Sequence, residues 1–301
     1  MRNKVLLIAA MLVLALSAAV SAQTYHFGYV VQDLGNQFWL TMSHGVQDRA
    51  AELGHRVTVL DARTDPNRQL ANVEDLIQRG IDALLLSPWD APSGGTATEA
   101  ANKAGIPVFV LDIGVSSGKY ETLIVSDNYA GGVIAAEYMA QLLGGRGDVA
   151  IIQCQLGYEI VSLREQGFED RATELGLRVV AKQPADSQRA LGMTVMQNIL
   201  QARPNLRGVF SCNDEMALGA IEAIRAAGKQ NDIVVIGFDA IPDALDAIED
   251  GRMTATVAQR PYEIGRMGVD AAVAYLKGEK LESTTYIPVE LVTKENLADF
   301  R

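Results

Sequence analysis

Two cysteines, Cys154 and Cys212, and three histidines, His26, His44 and His55, are all that 301 residues contain. Two cysteines build no disulfide framework, and the histidines lack the spacing that gathers around a metal. A single Cys154–Cys212 bond stays open, beside the plainer reading of two small buried hydrophobes near strand ends. A Walker A pattern is missing, no nucleophile elbow is expected, and Gly131-Gly132 and Gly144-Gly145 do not make a dinucleotide fingerprint. Basic residues are also scarce, 26 Lys and Arg against 37 Asp and Glu, for a formal net charge of −11. That balance argues against nucleic acid and against anionic membrane.

Long apolar runs are confined to the start. Arg2 and Lys4 precede the uncharged stretch Val5 to Leu16, and Val20-Ser21-Ala22 supplies small residues. This is the layout of a secretory leader, residues 1–22, cleaved after Ala22. The run is short for a membrane span, and polar Gln23 and Thr24 follow it with no positive cluster. No cysteine stands at the cleavage point to carry a lipid. An exported, periplasmic protein is expected.

What the chain does have is a recurrent βα beat. Helical patterns end on glycine in Glu52-Leu53-Gly54, Gln78-Arg79-Gly80, Lys103-Ala104-Gly105, Glu174-Leu175-Gly176 and Ala226-Ala227-Gly228. An apolar strand pattern follows each, as at Val57-Thr58-Val59-Leu60 and Val108-Phe109-Val110-Leu111. Glycine past a helix end takes the left-handed conformation that stops the helix. Apolar strands alternating with helices point to an α/β architecture of doubly wound parallel sheets. The beat pauses at a strand over 120–126 and restarts at Val149-Ala150-Ile151-Ile152, so the length is expected to divide into two domains.

Two stretches carry the functional signal. Val209-Phe-Ser-Cys-Asn-Asp-Glu-Met-Ala-Leu-Gly-Ala220 and Val234-Val-Ile-Gly-Phe-Asp-Ala-Ile-Pro-Asp243 each run from a strand pattern to a polar residue, Asn213 or Asp239. An open parallel sheet binds ligands there, beyond the carboxyl ends of its strands. Taken alone, Asn213 also reads as a helix cap, with Asp214 and Glu215 complementing the dipole. Asp239 also reads as an Asx turn ahead of Pro242.

Both stretches resemble the ribose-binding-protein branch of the type I periplasmic sugar-binding proteins. The resemblance implies two doubly wound lobes joined by three hinge strands, with the ligand cleft between them. It implies lobes of 23–126 plus 260–289 and 127–259 plus 290–301. It also implies binding of a monosaccharide or related polyol or cyclitol, delivery to an ABC permease by hinge closure, a monomer, and neither cofactor nor metal. A chemoreceptor or sensor kinase is a further partner in some readings.

Other positions join the cleft through the resemblance. Asn36 and the aromatics Phe38 and Trp39 are similar to the family's Asn-x-aromatic-aromatic segment; their other readings are a helix cap and core packing. Asp112 matches the sugar-binding Asp after the fourth strand, or is a loop residue. Arg164, in Arg164-Glu-Gln-Gly-Phe168, resembles the family's Arg-x-x-Gly-Phe helix start, or is a surface ion-pair partner. Gln259 matches a hinge-side amide, and Gln32 stands where a small hydroxyl residue is usual. Tyr158 and Glu159 are expected near the pocket. Trp89 is given no binding role.

The departures bear on the ligand. Ile113 stands where ribose-binding members have Arg, and Ser187 where they have an aromatic. A pentose relative, polyol or cyclitol is therefore expected in preference to ribose. The competing readings are a carbohydrate-modifying enzyme, a sugar receptor without transport, and a repressor effector domain. The last is disfavoured by a leader where a basic headpiece would stand.

Overall fold

Apolar runs become the inner strands of two six-stranded sheets in a computed structural model that describes residues 23–155 and 159–301. The leader, Tyr158 and the side chain of Glu159 lie outside the described residues. In the first sheet, β1 (His26–Val31) has β2 (Arg56–Asp61) on one side. On its other side follow β3 (Ala83–Leu86), β4 (Val108–Leu111), β5 (Thr122–Ser126) and β11 (Thr284–Ile287), all parallel. In the second, β6 (Gly147–Gln153) has β7 (Leu177–Pro184) on one side. β8 (Leu206–Ser211), β9 (Val234–Asp239), β10 (Ala255–Ala258) and the antiparallel β12 (Glu290–Val292) lie on the other. The strand read from residue 120 starts at Thr122.

Every residue of β3, β4, β5 and β10 is buried, as strands covered by helices on both faces must be. The edge strand β2 is half-buried. In the first lobe, α1 (Gln37–Glu52) and α9 (Pro261–Leu276) pack together on one face, and α2 (Pro66–Gln78) and α3 (Ala91–Lys103) pair on the other. The second lobe holds α4 (Asn128–Leu143), α5 (Glu159–Glu174), α6 (Arg189–Ala202), α7 (Asp214–Ala226) and α8 (Pro242–Glu249). Gly54 and Gly228 follow α1 and α7 with φ of 74° and 69°, which is where a side chain would be strained.

In each sheet the chain steps to one side of its first strand and then to the other. The switch points fall between β1 and β3 and between β6 and β8, and crevices open beyond the carboxyl ends there. The chain passes between the sheets three times: after Ser126, between Ala258 and Pro261, and between Ile287 and Glu290. Arg260 pairs with Glu290 across the second and third passages.

Three helix pairs approach through glycine: Gly45 with Gly265 (α1–α9), Gly132 with Gly167 (α4–α5) and Gly192 with Gly219 (α6–α7). A Cβ on Gly132 would stand 2.0 Å from the Arg164 carbonyl oxygen, and one on Gly167 would stand 2.2 Å from that of Tyr129. Backbone cannot yield as a flexible side chain can, so a methyl group at either position forces α4 and α5 apart. Phe168, next to Gly167, stacks on Phe210 of β8 with centroids 4.6 Å apart and rings 8° from parallel. We expect Gly167→Ala to cost about 1–3 kcal/mol of stability, the usual effect of overpacking. A thermal or urea melt indistinguishable from wild type would show that α4 and α5 do not meet this closely.

Candidate functional site

A cavity of about 340 Å³ lies between the lobes, at the carboxyl ends of both sheets, near the small end of the ~300–1,000 Å³ range of ligand pockets. Gln32, Asn36, Phe38, Trp39 and Asp112 line it from the first lobe. Arg164, Asn213 and Asp239 line it from the second, and Gln259 from the passage between them.

Two of these residues serve the helix and the cavity at once. The Asn36 side-chain oxygen accepts from the Phe38 N–H at 2.9 Å, capping α1. The Asn213 oxygen accepts from the Met216 N–H at 3.0 Å, capping α7. Capping fixes which way each amide faces, and it leaves both amide nitrogens without an acceptor among the described residues. Phe38 and Trp39 follow in the first turn of α1, with rings 5.0 Å apart and near perpendicular, both buried and both facing the cavity.

Arg164 is buried in the second turn of α5, not at the helix start, since α5 begins at Glu159. Its Nε donates to Asn128 Oδ1 at 2.6 Å. Its Nη1 donates to the Cys212 carbonyl at 2.8 Å and to Asp239 Oδ1 at 3.4 Å. The guanidinium lies 4.0 Å over the Phe238 ring, a favourable stacking for a delocalised cation. The two N–H groups of Nη2 have no acceptor among the described residues.

Asp239 ends β9 with φ of 123°, and Ala240 follows at 57°. The Asx-turn reading is not realised: Asp239 Oδ1 accepts from Gln259 Nε2 at 2.6 Å and from Arg164. The turn is held instead by Asp214, which is fully buried. Its Oδ2 accepts from the Ile241 N–H at 3.0 Å and its Oδ1 from the Thr256 hydroxyl at 2.7 Å. Gly237 clears the space, since a Cβ there would stand 2.1 Å from Asp214 Oδ1. So Asp214 supports the turn and does more than complement a dipole.

The acceptors are left hungry. Gln32 Oε1, Asp112 Oδ1 and Gln259 Oε1 are buried with no donor among the described residues, a costly state that calls for a partner. Burial pushes the Asp112 carboxyl up to about 6, against a partial pull from Arg164. Burial also raises Asp239, with Arg164 and Gln259 pulling back and Asp112 adding repulsion. Asp112 itself has φ of 68°, a second strained acid at the cavity wall.

Several lining residues are not foreseen from sequence. Trp89, without a binding role there, lines the same cavity from the loop after β3. The carboxyl-end rule that finds Asn213 and Asp239 also covers Ser87-Pro88-Trp89-Asp90. Val161 lines the cavity as well, with no signal in the sequence, beside Ile113 and Ser187, the two departures that bear on the ligand. Cys154 lines it and Cys212 is buried, both as free thiols. Gly114-Val115-Ser116-Ser117-Gly118 does spell Gly-x-Ser-x-Gly, but it lies in the irregular segment between β4 and β5 with no helix after the serine. It is therefore no strand–turn–helix elbow. Among the described residues, no group of three or more His, Cys, Asp or Glu could hold a metal ion.

The family profile described as "Periplasmic binding protein domain" matches residues 27–280. The ribose import binding protein RbsB of Bacillus subtilis (strain 168) is 43% identical over 271 residues, covering 90% of this chain and 88% of that one. An ABC transporter solute binding protein from Bacillus halodurans C-125, solved with bound myo-inositol, is 32% identical with a TM-score of 0.85, covering 94% of this chain and 99% of that one. One from Actinobacillus succinogenes 130z, solved with bound D-allose, is 27% identical with a TM-score of 0.87, covering 92% and 100%.

The two cleft acids generate opposite pH dependences. Between the ordinary carboxylate range and about pH 6, the folded empty protein keeps protons on Asp112 and Asp239 that the unfolded chain has released. This contribution to stability is therefore lost as pH rises through that window. A ligand that donates hydrogen bonds to these oxygens would favour the ionised carboxylates, so its affinity should weaken as pH falls through about 6. Melting curves and titrations at several pH values check both signs. Affinity independent of pH across the window would exclude Asp112 as a titrating ligand group.

Proposed function

Because this chain belongs to the periplasmic binding protein domain family, we propose that it captures a monosaccharide, or a related polyol or cyclitol, for delivery to an ABC importer by hinge closure. The observation that carries the reading is the set of three buried, unpartnered acceptors in one inter-lobe cavity that also has aromatic walls. A sugar hydroxyl both donates and accepts. It can satisfy Asp112, Gln32 and Gln259 while taking N–H bonds from Asn36, Asn213 and Arg164 Nη2. Phe38 and Trp39 suit the C–H side of the ring.

Groups from both lobes must converge on one small molecule, so binding draws the lobes together. The closed form then presents the membrane permease with a surface the open form lacks. Export with cleavage after Ala22 belongs to the same reading and rests on the Arg2-to-Ala22 leader pattern; a mature protein beginning at Gln23 is the expectation. No cleft residue speaks for a chemoreceptor or sensor kinase as a second reader of the closed form.

The direct test is a thermal-shift screen across pentoses, hexoses, inositols and alditols, followed by calorimetry. With a ligand in hand, Arg164→Ala or Asp239→Ala should weaken binding by about 2–4 kcal/mol, at least tenfold, by leaving hydroxyls and buried partners unpaired. Wild-type affinity in both variants would remove them from the site. Saturating ligand should also contract the molecule in small-angle scattering and change tryptophan emission. Trp39 and Trp89 both line the cavity, so neither is a silent background. A bound complex with the dimensions of the empty protein would count against closure.

A further inference from the structure

Asp112 and Ile113 are consecutive, both buried, and both line the cavity. A tight turn allows this: Asp112 has φ of 68°, and the Ile113 N–H donates back to the Leu111 carbonyl at 2.9 Å. The wall thus changes character within one residue, from a carboxylate whose Oδ1 has no donor among the described residues to an aliphatic side chain. Ile113 belongs to the first lobe's apolar cluster with Phe38 and Trp39. Val161, on α5 of the other lobe, packs against that same cluster and lines the cavity as well. Both lobes therefore give the cavity apolar side chains, with Ile113 the one directly after Asp112.

These side chains restrict the ligand. A hydroxyl pressed against Ile113 or Val161 would lose water and gain no partner. A methyl or methylene group in the same place gains from burial. Phe38 and Trp39 already offer faces for ring C–H groups, so an aliphatic side chain next to the acceptor selects at the edge of the ring.

We infer that the ligand is a deoxy or methyl-terminated sugar, with a hydroxyl donating to Asp112 and, beside it, a carbon that bears no hydroxyl. This deepens the sugar-binding reading of the cleft and rests on it.

Calorimetry with pairs of sugars differing by one oxygen tests the inference: fucose with galactose, rhamnose with mannose, 6-deoxyglucose with glucose, and 2-deoxyribose with ribose. Xylose, xylitol and myo-inositol serve as fully hydroxylated references. The deoxy member should bind at least about tenfold tighter in one pair, the scale on which an apolar pocket discriminates. Ile113→Asn, checked for folding by its melting curve, should reduce that ratio. If Ile113→Asn fails to fold, Val161→Thr across the cleft should reduce it instead. The inference is overturned if any fully hydroxylated compound binds tighter than every deoxy sugar, or if the ratio is unchanged in a folded variant. If no sugar or polyol binds at all, the sugar-binding reading itself falls, a result distinct from tight binding of the hydroxylated partners.

Discussion

The cleft depends on one buried guanidinium. Holding Arg164 away from water is costly unless its N–H groups find acceptors, and three separate elements provide them for Nε and Nη1. Asn128, at the start of α4, takes Nε; the Cys212 carbonyl beyond β8 and the Asp239 carboxylate at the end of β9 take Nη1. Phe238 lies beneath the plane. The first contact exists because α4 and α5 touch through Gly132 and Gly167. The last exists because Asp214, threaded past Gly237, holds the strained turn that follows Asp239. The three residues Gly237-Phe238-Asp239 thus divide the work: the first gives clearance, the second a stacking face and the third an acceptor.

Much of this was legible in the sequence because parallel sheets place function at a predictable spot. The glycine-terminated helices and uninterrupted apolar strands announce the sheets. The polar residues just past strand ends, Asn213, Asp239 and Asp112, announce the crevice. Reading Asn36 and Asn213 as either caps or cavity residues poses a false choice, because a capped oxygen leaves the amide nitrogen free for the cavity.

What stayed hidden has physical causes. Trp89 is easily passed over, although it follows the end of β3, because an aromatic beside a proline reads as packing. Val161 carries no polar signal at all, and only the meeting of the lobes gives it a role. Asp214 looks like a dipole partner because nothing local shows that Thr256 and Ile241, 42 and 27 residues away, arrive at its two oxygens. Long-range partners of this kind become visible only once the sheets are assembled.

The electrostatics of the cleft tie ligand to closure. Asp112 comes from the first lobe and Asp239 from the second, while Arg164, already bonded to Asp239, is the cation between them. Bringing the lobes together around an empty cavity removes water from both acids, adds repulsion between them, and strands the oxygens of Gln32 and Gln259. Each of these costs belongs to the closed, unliganded state. On the proposed function, a polyhydroxylated ligand would offset them at once by donating to the same oxygens, so its affinity would be higher for the closed form than for the open one. That difference in affinity is what a ligand must supply to shift a conformational equilibrium. On that reading the unpartnered acceptors would distinguish the occupied protein from the empty one, and filling them with protein donors would yield a cleft that closes without its ligand.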